Sequence, residues 1–557
     1  MPEIRTIKSD IAKALGCNAD EVEEPDKEGF GDFAYPCFNA AKKEKKNPAQ
    51  IAKELAGKAK IEGIKEVKAI GPYVNFYIDW SKIGNGLLKQ INNNYGKAKK
   101  NKRTAVVDLS SPNPAHPFHM GTTRSTLLGE ALCRILESQG WTVKRFCYMN
   151  DLGKQAATLL IGYQMLAAGK KPEGKADVWL GKLYFDISKK ASEEPALEQK
   201  ITETIGKLEK RDPETVNLGK KVFGWCMEGF EENWKLLGIK FSDIKWESEF
   251  IEDSKKVVKE AQPLLFESEG AMILNLEKYG LPNTVFVRKG GTGLYLTRDI
   301  ACTEWKFNKY RPDLNVWVVA EDQSNHFKQQ LKVLELLGHP EMSKSSEHLA
   351  YSMVLLEGKK MSARKGWFVL WDEMLKEGQE KALEEIAKRW PELPEKEKNK
   401  RAKTIALGAI LYFINKYAPE KTVNFTWEQA LSFEGDTGPY LQYTHARAGS
   451  ILAKAGVKKA GKFDAAELSD SREIAILKLI SKYPSVLDRA AKDLKPHYLA
   501  DYLHGLADAF NNFYQNVPVI KAGTKGQKNA RLKLTESVKT VLASGLQMLG
   551  IEAPEEM

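Results

Sequence analysis

The stretch from Thr104 to Met149 constrains the fold more than any other part of the chain. "TAVVDLS" is an apolar run typical of a buried strand. "RSTLLGEALCRILESQG" repeats its aliphatic residues at helical spacing and ends at a glycine, and "WTVKRFCYM" is a second strand. A strand, a helix and a strand in such short succession form a βαβ unit, whose two strands run parallel. The sequence therefore predicts a parallel sheet covered by helices.

The rest of the chain predicts further units around that sheet. At 557 residues the chain is too long for one core. The first hundred residues form a small α/β unit, with helical patterns at Glu3–Leu15 and Pro48–Ala59 and a strand in "GPYVNFYID". The polar stretch "NNNYGKAKKNKR" follows as a linker. We therefore expect a first domain at 1–100.

A central domain is predicted for 101–402 and a third for 403–557. A helical insertion covers about 156–240. Strand patterns then return in "NTVFVRK", "NVWVVA" and "HLAYSMVLL". From about residue 402 the pattern is helical to the end, which indicates an all-α bundle.

Composition excludes several classes of protein. No apolar run approaches the roughly 18 residues of a membrane span, and the N-terminus lacks the apolar stretch of a secretory signal, so we expect a cytoplasmic protein. The 6 cysteines form no CxxC pair, which favours reduced, packed thiols and no metal site. The net charge of +11 comes in lysine clusters. These suit a polyanionic partner, although surface lysines that only keep the protein soluble are an equal alternative.

The turn between the first strand and its helix, "SSPNPAHPFHMGTTRS", lies where open α/β sheets bind ligands. The helix N-terminus that follows favours a phosphate, and His116 and His119 can donate hydrogen bonds to it. Gly121 leaves room for a flat ring near the backbone. An HxG triplet alone is weak support, because a histidine that only caps the helix is an alternative.

A short lysine motif occurs twice, as "MSKS" at 342–345 and as "KMSAR" at 360–364. The second copy follows "HLAYSMVLL", is flanked by glycines, and can neutralise charge on a polyphosphate. The first copy lies in the connection that enters this strand, at the edge away from ligands. We therefore expect the second copy to be functional, with a solvated run of charges as its alternative.

Together, HMGT and KMSAR resemble the two signatures of class I aminoacyl-tRNA synthetases, usually written HIGH and KMSKS. Eight segments resemble the arginyl-tRNA synthetase family in its own order: "SPNPAHPFHMG", "NDLGKQ", "GLYLTRDIA", "EDQSNHFKQQLKVLELLG", "GKKMSARKG", "DTGPYLQYTHARAGSIL", "FNNFYQNVPV" and "MLGIEAP". They span nearly the whole chain. The resemblance implies a multidomain α/β protein with a Rossmann-type catalytic domain, a small N-terminal α/β domain that contacts the tRNA elbow, and an all-α anticodon-binding bundle.

The resemblance also implies the reaction. ATP activates L-arginine as arginyl-adenylate, and the arginyl group is then transferred to the terminal ribose of tRNA(Arg) for protein synthesis. The implied partners are ATP with Mg²⁺, L-arginine and tRNA(Arg), with no tightly bound metal and a monomeric enzyme. The catalytic residues by resemblance are His119 and Lys360. The implied ATP-binding set is His116, His119, Gly121, Thr122, Lys360, Met361, Ser362 and Arg364.

The implied arginine-binding set is Asn113, Glu247, Tyr295, Asp299 and Gln323. Tyr295 and Asp299 are four residues apart, which places a ring and a carboxylate on one helical face for a guanidinium. Taken singly, Asp299 is as consistent with a surface ion pair to Arg298, and Glu247 with a solvated loop residue.

Three positions depart from the family pattern. Thr122 replaces the last histidine of the first signature, and its hydroxyl cannot carry charge. His116 stands where many relatives have lysine or glycine. Arg364 replaces the second signature lysine and keeps the charge with a different geometry.

Exposed aromatic residues of the bundle are expected to stack unpaired tRNA bases, namely Tyr440, Tyr443, Phe513 and Tyr514. The alternative is that such rings belong to the bundle core. Three other functions remain open at this stage: another class I synthetase, such as one for cysteine or glutamine, a non-charging tRNA-binding paralogue, and a small nucleotidyltransferase. The last of these would not need the long helical C-terminus.

Overall fold

The computed structural model describes residues 4–25, 29–288, 295–356, 369–457 and 459–557. The strands are β1 (Phe33–Pro36), β2 (Ile64–Ile70), β3 (Tyr73–Ile78), β4 (Thr104–Asp108), β5 (Thr142–Met149), β6 (Asp243–Trp246), β7 (Leu265–Ser268), β8 (Ala271–Leu274), β9 (Thr284–Val287), β10 (Leu314–Ala320), β11 (Ser346–Tyr351), β12 (Val354–Leu356) and β13 (Val423–Phe425).

Helices cover most of the remaining described chain. They are α1 (Ile4–Leu15), α2 (Phe38–Glu44), α3 (Pro48–Lys58), α4 (Trp80–Gln90), α5 (Met120–Ser138), α6 (Gly153–Leu166), α7 (Ala176–Ala191), α8 (Pro195–Glu209), α9 (Pro213–Leu236), α10 (Ile251–Ala261), α11 (Tyr295–Tyr310), α12 (Ser324–Leu336), α13 (Pro340–Lys344), α14 (Trp371–Arg389), α15 (Glu395–Asn415), α16 (Trp427–Ala430), α17 (Gly438–Lys454), α18 (Ser471–Lys492), α19 (His497–Asn516) and α20 (Lys525–Met548).

The small N-terminal unit has an antiparallel sheet in the order β1-β3-β2, with α1 and α3 as its predicted helices. Helix α3 begins where the sequence predicts, because Asn47 caps the backbone N–H of Ala49 at 2.9 Å and Pro48 occupies the first helical position. Ion pairs from Asp32 to Lys478 (2.7 Å) and from Glu24 to Lys482 (2.8 Å) join this unit to α18.

The central sheet has the order β11-β10-β4-β5-β6, and every neighbouring pair is parallel. The predicted βαβ unit is confirmed, because β4 pairs with β5 and α5 connects them. Alternate residues of β4 face opposite sides of the sheet. Val106 packs in the cluster beneath α10, α11 and α12, whereas Ala105 and Val107 pack in the larger cluster that includes α5.

The strand order places the ligand crevice. The chain winds from β4 through β5 to β6 on one side, and from β10 to β11 on the other. The connections that leave β4 and β10 therefore diverge at their carboxyl ends, which is the switch point where open α/β sheets bind ligands.

The strand predicted in "NTVFVRK" is confirmed as β9, which belongs to a small antiparallel sheet, β7-β8-β9. Two other expectations about strands need correction. The "HLAYSMVLL" run is divided, so that β11 ends the main sheet and β12 pairs in parallel with β13. Because β13 lies at 423–425, the chain beyond residue 402 is not wholly helical.

The helical regions agree with the prediction in outline. Helices α6 to α9 fill the predicted insertion between β5 and β6, and α17 to α20 form the C-terminal bundle. Helix α15 runs across residue 402, so the described chain has no linker at that point. The 6 cysteines are free thiols, and all but Cys17 are buried, as expected. Within the described ranges, no helix combines the length and apolar character needed to span a membrane.

Candidate active site at the carboxyl edge of the parallel sheet

Three predicted site residues follow the carboxyl ends of three different strands. Asn113 follows β4, Glu247 follows β6 directly, and Gln323 ends a short 3₁₀ turn after β10. Because parallel strands end at the same edge of a sheet, these residues are brought to one side of the molecule although they are distant in sequence. The individual motifs do not indicate this common location, because it depends on the order of the strands in the sheet.

His119 is the N-cap of α5. Its Nδ1 accepts a hydrogen bond from the backbone N–H of Gly121 at 3.0 Å. Burial, with a smaller contribution from His116, lowers the pKa of His119 to about 4, so the ring is neutral at physiological pH. Since Nδ1 is an acceptor, the proton lies on Nε2, which is therefore a hydrogen bond donor. The capping interpretation and a role as donor to a phosphate are compatible.

The geometry explains why residue 121 is a glycine, apart from the predicted contact with a flat ring. A Cβ at this position would lie 2.8 Å from Cε1 and 3.1 Å from Nδ1 of His119. Any larger residue would therefore push the imidazole away from its capping position. The contact with adenine stays a prediction.

Two departures from the family pattern, His116 and Thr122, lie in the connection from β4 into the first turn of α5 (109–122), hereafter the HMGT turn. His116 is largely buried, with its ring centroid 5.0 Å from that of Tyr184, and burial lowers its pKa to about 4. It is neutral at pH 7 and does not replace the charge of a lysine. The carbonyl of Thr122 accepts hydrogen bonds from Ser125 Oγ (2.9 Å) and Thr126 Oγ1 (2.7 Å). The structure places Thr122 in the first turn of α5.

Segment 357–368, with Lys360, Met361, Ser362 and Arg364, lies outside the described residues. The chain that follows it pairs with the HMGT turn. The backbone N–H of Met120 donates to the carbonyl of Val369, and the N–H of Trp371 donates to that of Phe118, both at 3.1 Å. The chain from Val369 to Trp371, which follows the second motif in sequence, is therefore held against the first motif by backbone hydrogen bonds.

The first copy of the lysine motif lies at the other edge. Residues 340–344 form the short helix α13, which ends immediately before β11 begins. The prediction that "MSKS" lies at the amino end of this strand is confirmed.

The predicted arginine pocket is built around the first turns of α11. Tyr295, the first residue of this helix, stacks on the ring of His326 with centroids 4.4 Å apart. His326 Nε2 lies 2.7 Å from Asp299 Oδ2. The tyrosine ring and the carboxylate are thus on one face, as the spacing predicts, and Tyr295 is 44% exposed while Asp299 is partly buried.

The alternative readings of Asp299 and Glu247 are not what the structure shows. Arg298 Nε donates to Glu247 Oε1 at 2.6 Å, and Glu247 is only 3% exposed. Asp299 pairs with His326 and not with its neighbour Arg298. Burial raises the pKa of Glu247 to about 7, and Arg298 opposes this shift. The pocket therefore holds a carboxylate that titrates near neutrality.

A buried ion pair attaches α11 to the central strand. Lys306 Nζ lies 2.6 Å from Asp108 Oδ2, and both side chains are almost fully buried. Asp108 is the last residue of β4, so this pair holds α11 at the start of the HMGT turn. Breaking such a pair from one side typically costs about 3–5 kcal/mol. The sequence gives no signal for Lys306, because a lysine on a helix does not indicate a partner 198 residues away.

His326 was also missed as a site residue. It lies inside the "EDQSNHF" segment, where a histidine three residues after Gln323 was available as a signal. Asn113 is held by the N–H of Ala115, which donates to its Oδ1 at 2.9 Å, and its Nδ2 donates to Gln155 at 2.5 Å. Gln155 is therefore a further residue of this turn.

The helical insertion supports the HMGT turn from outside. The buried carboxylate of Asp177 accepts the backbone N–H of Phe118 at 2.9 Å. Two residues earlier, Lys175 Nζ donates to both carboxylate oxygens of Asp372 at 2.7 and 2.6 Å. The start of α7 thus contacts both the turn and the first residues of α14.

The four predicted tRNA-contacting rings do not share one environment. Tyr514 is 43% exposed, and Tyr440 and Tyr443 are partly buried. Phe513 is fully buried against Phe510, so the expectation that it is exposed is wrong. The guanidinium of Arg447 lies over Tyr443 and Tyr514, at 4.6 and 4.9 Å from their ring centroids. Three aromatic or cationic groups therefore form one patch on α17 and α19.

Three family models match consecutive parts of the chain. The family model "Arginyl tRNA synthetase N terminal domain" matches residues 4–78, "tRNA synthetases class I (R), catalytic domain" matches 83–427, and "DALR anticodon binding domain" matches 441–557. An arginine–tRNA ligase of Bacillus anthracis is 36% identical over 97% of this chain and 96% of its own.

Two further comparisons agree. An arginine–tRNA ligase of Clostridium beijerinckii is 33% identical over 96% of each chain. The solved structure of a Thermus thermophilus arginyl-tRNA synthetase superposes with a TM-score of 0.85 at 29% identity, covering 99% of this chain and 100% of that one. With these matches along its whole length, the chain belongs to the arginyl-tRNA synthetase family.

Proposed function

We propose that the carboxyl edge of the parallel sheet is the site where arginine is activated, with the HMGT turn holding ATP and the start of α11 holding arginine. The chain is an arginine–tRNA ligase that charges tRNA with arginine at the expense of ATP. The observation that supports this assignment most is the common location of the His119 cap after β4, Glu247 after β6 and Asp299 on α11.

For the first step, the carboxylate of arginine attacks the α-phosphate of ATP and pyrophosphate leaves. No protein base is required, because the nucleophile is already ionised. The work of the protein is to position the two substrates and stabilise charge on the phosphates. We assign this to Nε2–H of His119, the N-terminal end of α5 and Lys360. We further propose that Mg²⁺ enters with ATP and that the remaining predicted ATP contacts, His116, Gly121, Thr122, Met361, Ser362 and Arg364, surround the nucleotide.

For arginine, the pocket offers two carboxylates and one resident cation. Asp299 would accept the guanidinium in paired charge-assisted hydrogen bonds, and Tyr295 would cover its plane. Glu247 is held by Arg298, and Asp299 is oriented by His326. Asn113 and Gln323 complete the proposed pocket at the amino and carboxylate end of the substrate.

The activity is tested by acid-stable charging of tRNA with each amino acid in turn. We expect charging with arginine and an arginine tRNA only. Charging with cysteine or glutamine would indicate another class I synthetase, and binding of tRNA without charging would indicate a paralogue that has lost the reaction. Pyrophosphate exchange is measured with tRNA present, because the family resemblance implies that activation of arginine needs tRNA.

The pH dependence of charging tests Glu247. Because burial raises its pKa from 4.5 to about 7, Glu247 becomes protonated as the pH falls through neutrality and loses its charge. We expect kcat/KM for arginine to fall about tenfold per pH unit below that pKa. The same shift makes the contribution of this group to stability greatest in acid and lost as the pH rises through about 7, so protonation of Glu247 does not itself destabilise the fold.

The measurement is a profile of kcat/KM from about pH 5.5 to about pH 8.5, with thermal unfolding followed in parallel. Glu247→Gln should lower the plateau and remove the acid limb. A wild-type profile that is flat through neutrality would contradict this assignment.

For the tRNA, we propose that the patch of Arg447, Tyr443 and Tyr514 contacts unpaired anticodon-loop bases. A ring that is already stacked on a guanidinium presents a flat cationic surface, which suits both a base and its phosphate. Tyr440 lies on the same helix as Arg447 and donates to Asp508 at 2.7 Å, so it borders the patch. Phe513 is left out because it has no exposed surface.

Tyr514→Ala should raise KM for tRNA by roughly 5- to 100-fold, the range of one lost base–aromatic stack. Steady-state charging at varied tRNA concentration measures this. Phe266→Ala removes a ring of matched exposure (42%) from β7 and should leave KM for tRNA within about twofold. An equal effect of both substitutions would argue against a specific patch.

The remaining assignments follow the family resemblance. We propose that 1–100 contacts the tRNA elbow, that 101–402 is catalytic and that 403–557 binds the anticodon, in a monomeric cytoplasmic enzyme. The lysine cluster at 97–102 is exposed and suits tRNA phosphates. In a second basic cluster, at 521–533, Arg531 is buried against Glu473.

A further inference from the structure

Arg124 is a fully buried arginine in the helix that begins at His119. Its guanidinium donates to the backbone carbonyls of Ser352 (2.6 Å) and Met353 (2.9 Å) through one terminal nitrogen. The other terminal nitrogen donates to the carbonyls of Pro419 (3.1 Å) and Lys421 (2.9 Å). Among the described residues, no carboxylate forms an ion pair with it.

This arrangement is costly for stability alone. Burial lowers the pKa of Arg124 to about 10, which reflects the energy needed to keep a charge away from water. An apolar side chain of similar volume would avoid that penalty, but it would leave the four carbonyls without this donor. A planar group with donors in two directions is needed only where several acceptors must be held in a fixed relation.

The four carbonyls belong to two segments that Arg124 joins. Residues 352–353 lie between β11 and β12, and 419–421 lie between α15 and β13. The segments also bond to each other, because the N–H of Ser352 donates to the carbonyl of Pro419 at 2.9 Å. Arg124 thus joins α5, on which it lies, to both segments. We call this contact the junction. It connects α5 with the end of the parallel sheet and with the C-terminal helical region (403–557).

The junction continues to the proposed anticodon patch through close backbone contacts. At Gly438 of α17, a Cβ would lie 2.2 Å from the carbonyl oxygen of Gly408 in α15, so these helices touch without intervening side chains. Lys416, just after α15, donates to the carbonyl of Asp436 at 2.7 Å. Helix α17 carries Arg447, so few flexible elements separate the patch from Arg124.

We propose that Arg124 is a positioning residue that couples binding of tRNA on the C-terminal helical region to the ATP-binding turn. A displacement of α15 and the 419–421 turn moves two of the four acceptors of Arg124. Arg124 lies five residues after His119 in the same helix, and therefore passes that movement to the cap of α5. This inference rests on the proposed function, because it concerns how the same reaction depends on tRNA.

The test uses Arg124→Lys, which keeps the charge but loses the planar fork. The measurement is kcat for charging with full tRNA(Arg) and with an acceptor-stem minihelix that lacks the anticodon arm. In the wild type, we expect full tRNA to give the higher kcat. In Arg124→Lys, kcat with full tRNA should fall about 10- to 100-fold, and the ratio of the two kcat values should approach one, while Kd for tRNA stays within about threefold.

Arg134→Lys is the matched control. Arg134 lies on the same helix and also donates to two backbone carbonyls, those of Gln547 (3.0 Å) and Leu237 (3.3 Å), but about 15 Å farther along the helix. It should leave the ratio unchanged. An equal loss in both variants, or a wild-type ratio in Arg124→Lys, overturns the proposal. Wild-type enzyme that does not charge tRNA(Arg) at all would instead overturn the proposed function.

If Arg124→Lys does not fold, Thr422→Val decides. Thr422 is exposed, and its hydroxyl bonds to Ser352 Oγ at 3.0 Å across the same junction. A several-fold fall in the ratio with unchanged Kd for tRNA would support the coupling, and an unchanged ratio would overturn it.

Discussion

Replacing Asp299 with asparagine should lower kcat/KM for arginine by roughly 10²- to 10³-fold. Truncating one partner of a desolvated charge pair costs about 2–5 kcal/mol, and each 1.4 kcal/mol is tenfold. The amide can still accept a hydrogen bond from His326, whose Nε2 lies 2.7 Å from the native carboxylate. The substitution therefore removes the charge offered to the guanidinium while it keeps the side chain in place.

The matched control is Asp243→Asn. Asp243 forms an ion pair, at 2.6 Å, with Lys309, which lies on α11 as Asp299 does. Asp243 is the first residue of β6, so it lies at the edge of the sheet away from the pocket. Steady-state charging with varied arginine, ATP and tRNA should show a change confined to arginine in Asp299→Asn and no comparable change in the control. Unchanged arginine kinetics in Asp299→Asn would rule out the pocket assignment.

The parts of the site that sequence could predict are those with local signals. The βαβ unit, the turn after β4 and the shared face of Tyr295 and Asp299 all depend on spacing within one element, and the structure has each of them. The partners of these residues are distant in sequence. Arg298 meets Glu247 across 51 residues, and Lys306 meets Asp108 across 198. The periodicity of apolar residues along the sequence cannot predict such pairs, because they form only when α11 packs over the sheet.

The error at Phe513 has a different origin. Leu499, Leu503, Leu506 and Phe510 form the buried stripe of α19, at intervals of four, three and four residues. Phe513 is three residues after Phe510 and continues this stripe, whereas Tyr514 lies a further 100° around the helix and is exposed. The spacing within α19 is thus sufficient to separate the two rings, whereas residue type alone is not.

The division of "HLAYSMVLL" into β11 and β12 could not be predicted in the same way. Apart from His348 and Ser352, the run has the apolar character of one strand. Its break at Ser352 and Met353 occurs where Arg124, more than two hundred residues earlier, takes both carbonyls. A long-range contact thus determined a local boundary.

Replacing Lys360 with alanine should lower the rate of tRNA-dependent arginine activation by roughly 10²- to 10³-fold, the effect of removing one group that stabilises charge in a transition state. We expect a smaller change in KM for arginine, because the lysine acts on the phosphates. The measurement is pyrophosphate exchange with saturating tRNA, together with single-turnover charging.

The chain supplies its own control in Lys344 of the first copy, MSKS, which shares its Met-Ser pair with KMSAR but follows a glutamate. Lys344 is exposed at the end of α13, and α13 precedes β11 at the amino edge of the sheet. Lys344→Ala should therefore leave activation within about twofold and alter thermal stability little. A large difference between the variants would show that the acting lysine belongs to the less exact copy of the motif, the one that follows β12 in the chain. Equal damage from both substitutions would mean that the wrong copy has been assigned.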